Sequence, residues 1–291
     1  MNFFAYDFMI LALIGATITG LAAPSIGIYL VQRRLSLIGD GLGHVALTGV
    51  GLGLLTRSSP TITAVVVAAL GAVAVELVRE RGKASGDVAL AILFYGGISG
   101  GVVLVNLSPA QNSRSLTSYL FGSPLTTSPG DVVLIGVLGA IVLAVALLLR
   151  PWLFAVCHDE EYARVSGLPI RLLNVILAVT TAVTVTAAMR AVGLLLVSAL
   201  MVVPVATAQQ VTRGFSATMY LAMALGVGAS VIGLGVSSQL DTAPGATIVL
   251  LAIAAFVVVT LGAGTVRRTR TRPPSPGQQA DAEPHEVLLD R

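Results

Sequence analysis

Apolar residues run along this chain in blocks of about twenty, and short clusters of Arg, Gly, Pro and Ser fall between them. The blocks lie at roughly 7 to 31, 36 to 55, 61 to 80, 87 to 107, 131 to 150, 171 to 190, 192 to 211, 216 to 236 and 244 to 265. At ~1.5 Å per residue each is long enough, or nearly so, to cross a ~30 Å hydrocarbon core as a helix. The blocks are continuous and rich in Ala, Leu, Val and Gly, without the period-two alternation of a lipid-facing strand, so helices are expected rather than a barrel. The fold class predicted is an all-α integral membrane protein, a polytopic helical bundle of eight or nine transmembrane helices. The count turns on Arg190 to Gly193, where two apolar stretches nearly touch and one is a candidate re-entrant half-helix.

Composition sharpens this picture. With 55% hydrophobic and 11% charged residues and a mean hydropathy of +0.91, the chain is too apolar for a soluble globule. Two organisational units follow: a transmembrane domain over 1–266, and a tail over 267–291 whose Pro273, Pro274, Pro276 and polar residues predict cytoplasmic disorder. Basic residues set the orientation. If Arg33 and Arg34 are cytoplasmic, alternation puts Arg79, Arg81, Lys83, Arg150, Arg164, Arg171, Arg213 and Arg267 to Arg272 on the same side, which predicts an external N-terminus and a cytoplasmic C-terminus in a multi-pass protein of the cell membrane. The first block has no basic flank or clear cleavage site and reads as a retained helix.

The net charge of +3 calls for no nucleic-acid partner, because the basic residues sit at membrane edges and meet lipid headgroups. One cysteine, Cys157, rules out an internal disulfide or a Cys-based zinc site within one chain, and is expected to be structural. The segments between blocks are too short to fold as catalytic domains. No G-x-x-x-x-G-K-[ST] loop is present, so no enzyme activity is expected of the chain, and any ATP hydrolysis belongs to another polypeptide.

The candidate chemistry lies in the second block, where Asp40 and His44 stand four residues apart in an otherwise apolar stretch. On a helix both share one face and could hold a divalent cation between them, and ionisable groups inside a membrane segment are costly and mark function. Counted from Arg34, His44 is expected about 15 Å deep, near the midplane, with Asp40 one turn closer to the cytoplasm. Two ligands make an open, incomplete shell, as a transit site needs. The competing reading makes Asp40 a helix cap and His44 an interhelical hydrogen-bond donor. Glycines at 39, 41, 43, 49, 51 and 53 suit either helix packing or a path, while Gly96, Gly97, Gly100 and Gly101 read as packing. Pro204 would free the carbonyl of Leu200, and Ser198, Thr207 and Gln209 add polar atoms nearby, none of them read as a ligand. Asp241 is read as a turn former, and Glu76 as the interfacial partner of Arg79.

From Arg33 to Gly53 the sequence RRLSLIGDGLGHVALTGVGLG resembles the signature of permease subunits of ABC-type zinc, manganese and iron importers. Three further stretches agree in order and spacing: HDEEYARVSGLP from His158, VGLLLVSALMVVPVATAQ from Val192 and LDTAPGATIVLL from Leu240. The chain departs from the usual pattern at Gly43, where Ser is common, and at Thr48, where Pro is common; neither change removes a ligand. The resemblance implies a fold like type II ABC importer membrane domains, with Asp40 and His44 lining the path of a transported zinc or manganese ion, less so iron. It implies no permanently bound cofactor, a cytoplasmic P-loop ATPase dimer that uses the ATP, an extracytoplasmic metal-binding delivery protein and a second permease copy. It also implies that Asp159, Glu160, Glu161, Ala163 and Gly167 belong to a short coupling helix seated on the ATPase. Two alternatives stay open: a proton-coupled secondary metal carrier in which Asp40 and His44 relay protons, and an ABC permease for an organic metal chelate.

Overall fold

The computed structural model of the chain describes residues 7–80, 86–108, 120, 122, 128–189 and 192–270, and its regular structure is helical throughout these. Eleven helices with described bounds follow in order among the described residues: α1 (Asp7–Gln32), α2 (Ile38–Leu55), α3 (Pro60–Glu80), α4 (Gly86–Leu107), α5 (Pro129–Leu148), α6 (Arg150–His158), α7 (Glu160–Val165), α8 (Ile170–Ala188), α9 (Leu194–Val211), α10 (Phe215–Leu240) and α11 (Pro244–Arg270). Among the described residues eight helices are long and apolar enough to cross a membrane: α1 to α5, α8, α10 and α11. The ninth apolar stretch is α9, continuous over 18 residues or about 27 Å, the same length as α2. Among the described residues the eight-or-nine expectation is thus met by these eight spans, with α9 as a further apolar helix between α8 and α10.

Helix ends follow local chemistry. Ser128 and Asp131 close a reciprocal capping box around Pro129, fixing the start of α5. Asp241 adopts a left-handed conformation (φ 48°), and Thr242 N–H returns to the Ser237 carbonyl at 3.2 Å, so Asp241 ends α10 as the expected turn former. α11 continues through Arg270, past the expected boundary at 266/267; the remainder of the expected tail, like most of the segment between α4 and α5 and the pair Arg190 and Ala191, lies outside the described residues.

Two groups of helices pack around α8. On one side α2 is held between α3 and α4; on the other α1 packs on α10, α5 and α9, with α11 outside α9 and α10; α8 touches both groups. α2 and α8 are the most buried spans, and in α9 Val197, Leu200, Met201, Val205 and Ala208 are fully enclosed. Close backbone approach makes this possible. A Cβ added to Gly97 of α4 would stand 2.5 Å from the carbonyl carbon of His44 and 2.6 Å from the amide of Val45. Outward-facing residues are the large apolar ones, such as Leu70, Ile92, Val133 and Leu250, the arrangement of a protein solvated by lipid.

Candidate metal path and docking helix

α2 begins at Ile38, after a turn in which Arg34 is left-handed (φ 59°) and Leu35 N–H bonds the Leu30 carbonyl at 2.8 Å. Residues 33–37 are therefore not helical, and this changes the expected depth. His44 stands six residues from the start of α2, about 9 Å along its axis rather than 15 Å, and Asp40 lies in the first helical turn. The site is nearer the Arg33 end than the midplane reading expected. Asp40 does not cap the helix: the N-cap position is Leu37, which makes no side-chain cap bond. Instead the Asp40 carboxylate accepts a hydrogen bond at Oδ1 from the Ser198 hydroxyl of α9.

One turn on, His44 is buried and its Nδ1 has no hydrogen-bond partner among the described residues. The Phe94 ring of α4 packs edge-on against the imidazole, with centroids 4.3 Å apart. Tyr95 in turn sits edge-on to Phe94 at 5.5 Å. A cleft of about 290 Å³ opens beside the pair, lined by Leu37, Asp40, Leu90, Ala91, Phe94 and Tyr95. Asp40 thus faces the cleft directly, while Phe94 stands between the cleft and His44. No cluster of three or more His, Cys, Asp or Glu exists among the described residues. Within one chain the shell remains open, with one imidazole and one carboxylate.

The glycines of α2 contact neighbours on every side. Gly39 faces Met201 and Ser198 of α9, Gly43 faces Leu194 and Val185, Gly49 and Gly53 face α3, and Gly41 and Gly51 face α4. Of the four glycines in α4, Gly97, Gly100 and Gly101 meet α2, whereas Gly96 points to open space. Thr48, in place of the usual Pro, donates its hydroxyl to the Gly97 carbonyl at 2.8 Å, and α2 runs on as a helix to Leu55.

The acidic segment folds as the expected short helix α7. Asp159 caps it, accepting from Tyr162 N–H at 2.9 Å. Glu160 turns back toward the protein, pairing at 3.0 Å with Arg33, which also donates to Asn174 Oδ1 at 2.6 Å. Ala163, expected in the docking face, is instead wholly buried. Gly167 (φ 77°) stays exposed and ends the helix in a Schellman turn, with Gly167 N–H on the Arg164 carbonyl and Leu168 N–H on that of Ala163, both at 3.1 Å. Glu161, Tyr162 and Val165 form the outward face, Val165 being 89% exposed. Glu76 is buried and pairs with Arg79 at 3.0 Å as expected, and Arg171 pairs with Glu80.

Sequence reasoning named Ser198 among the polar atoms near Pro204 but did not place it beside Asp40, and it missed Phe94 and the Arg33–Glu160 pair. Ser198 and Asp40 are 158 residues apart, and only the packing of α2 on α9 joins them. It also missed α6, whose signal was present: Leu153 and Val156 are three apart and both buried, the spacing of a helix lying against the bundle.

The sequence model of the ABC 3 transport family matches residues 5–263. A Haemophilus influenzae protein named "Probable iron transport system membrane protein" is 31% identical over 262 residues, 90% of this chain and 96% of that one. The "High-affinity zinc uptake system membrane protein ZnuB" of the same organism is 31% identical over 254 residues, covering 87% of this chain and 97% of its own. The "Manganese import system permease protein ScaB" of Streptococcus parasanguinis is 30% identical over 254 residues, with 87% and 90% covered. Among solved structures, a chain of PsaBC from Streptococcus pneumoniae, in complex with Fab, superposes with a TM-score of 0.80 at 28% identity, covering 88% of this chain and 91% of that one.

Proposed function

This chain belongs to the ABC 3 transport family, and from that membership we propose that it is the membrane permease subunit of an ATP-driven importer of divalent transition-metal ions, zinc or manganese ahead of iron. It is a multi-pass membrane protein and catalyses no covalent chemistry of its own; ATP hydrolysis falls to a separate subunit. The observation that carries the ion path is the pair on α2: a cleft-facing carboxylate, Asp40, and one turn away a buried imidazole nitrogen with no hydrogen-bond partner among the described residues. An unpartnered polar atom in such a setting is costly, and a passing cation is the partner that repays the arrangement. Carboxylate oxygen and imidazole nitrogen suit zinc, manganese and ferrous iron alike.

The mechanism is alternating access. An extracytoplasmic binding protein delivers the ion on the N-terminal side, Asp40 and His44 take it in exchange for part of its hydration shell, and closure of the ATPase dimer drives its release inward. A second permease copy, set against the open cleft of the first, would supply the missing half of the coordination shell. The ATPase seats on the outward face of α7, where Glu161, Tyr162 and Val165 are exposed and Asp159 holds the first turn. Arg33 ties that helix through Glu160 to the turn before α2, a direct link from the docking surface to the ion-path helix.

The class of transporter is tested in vesicles containing the permease with its ATPase and binding protein. Uptake should require internal ATP and survive a protonophore. Uptake that collapses with the proton gradient and persists without ATP would make the chain a secondary carrier.

A further inference from the structure

We infer that Ser198 of α9 is the positioning residue of the ion path, holding the Asp40 carboxylate in the orientation that meets the cation. The inference rests on the reading of Asp40 as a path residue. The two side chains come from different helix groups, since α2 packs with α3 and α4 while α9 packs with α1, α10 and α11. The two helices meet here: Gly39, next to Asp40, faces Ser198 and Met201, and an added Cβ would stand in ordinary van der Waals contact with both, 3.7 Å from Ser198 Cβ and 3.6 Å from Met201 Sδ. The Ser198 hydroxyl donates to Asp40 Oδ1. A bond from a hydroxyl to a carboxylate is among the stronger hydrogen bonds available, and at this half-buried position it restrains the rotation of the carboxylate.

Among the described residues, none of the side chains lining the cleft hydrogen-bonds Asp40. Leu37, Leu90, Ala91 and Phe94 have no side-chain donor, and Tyr95 is 68% exposed. With Oδ1 held by Ser198, Oδ2 is the oxygen turned to the ion. Serine is suited to this, because its hydroxyl is neutral, adds no charge that would trap the cation, and releases or keeps its bond as the ion passes. Outer-sphere partners of this kind contribute roughly 10- to 100-fold to metal affinity.

The test is metal-concentration-dependent uptake by the reconstituted complex carrying Ser198→Ala, Ser198→Thr or Asp40→Asn, each normalised to assembled protein. Ser198→Ala should raise KM for zinc or manganese about 10- to 100-fold with kcat and assembly near wild type, and Ser198→Thr, which keeps the hydroxyl, should return KM to within a few-fold of wild type. The inference is overturned by a Ser198→Ala KM equal to wild type, by a threonine variant that shares the alanine defect in KM, or by losses confined to assembly and kcat. Asp40→Asn separates the two levels. If it is inactive while Ser198→Ala behaves as wild type, only the role of Ser198 fails; if Asp40→Asn itself transports normally, the path reading fails and takes the inference with it.

Discussion

A buried imidazole nitrogen with no hydrogen-bond partner among the described residues and a carboxylate facing a largely apolar cleft lie one helical turn apart on α2, and such groups are costly in a membrane segment. Their pairing was legible from sequence because a four-residue spacing fixes a shared helix face whatever surrounds it. Their neighbours were not, because Ser198 and Phe94 reach the pair only through packing of α9 and α4, which no local pattern encodes. Cys157 shows a different outcome for a residue read as structural. It is half-buried in α6, and burial pushes its thiol up to about 11 despite a partly opposing pull from Arg33. The thiolate is the reactive form, so at pH 8 only about one thiol in a thousand is available. Alkylation of the folded protein should therefore be slow near neutrality and rise about tenfold per pH unit up to about pH 11, as followed by mass of the labelled chain. A rate that levels off near pH 8.5, as for a free cysteine, would show that the thiol is not shielded.

Most spans were readable as continuous apolar blocks, and their ends moved by only a few residues where a cap decided them, as at Ser128 and Asp241. The depth of His44 was not readable, because the non-helical turn at 33–37 depends on the left-handed Arg34, a residue type with no marked preference for that conformation. Nor was the small-residue docking face: Ala163 and Gly167 looked alike in sequence, yet one is buried in the core and the other terminates α7. The α2–α4 contact gives a sharp test at this scale. Gly97→Ala places a methyl group against the His44 and Val45 backbone, where no side chain can yield, and should cost about 1–3 kcal/mol with a lower melting temperature in detergent. Gly96→Ala, one residue away, meets open space and should be neutral or slightly stabilising because alanine favours helix. Equal effects at the two positions would contradict the contact.

At the scale of the whole molecule, α8 touches both a group of α2, α3 and α4 and a group built around α1, α9, α10 and α11. Polar contacts reach α2 and the turn before it from outside the group of α2, α3 and α4: Ser198 of α9 bonds the Asp40 carboxylate, and Arg33 is held by Asn174 of α8 and Glu160 of α7. Composition announced a membrane bundle and the motifs announced its family, but the two-group division depends on which glycines approach which backbones, and that emerged only from the fold. The central claim is that ions pass by Asp40 and His44, and its most direct test is ATP-dependent uptake of zinc and manganese by the reconstituted complex carrying Asp40→Asn or His44→Ala. Uptake should be lost in both variants while assembled protein stays at the wild-type level. Full uptake in both would reduce the α2 pair to packing residues and place the ion path elsewhere.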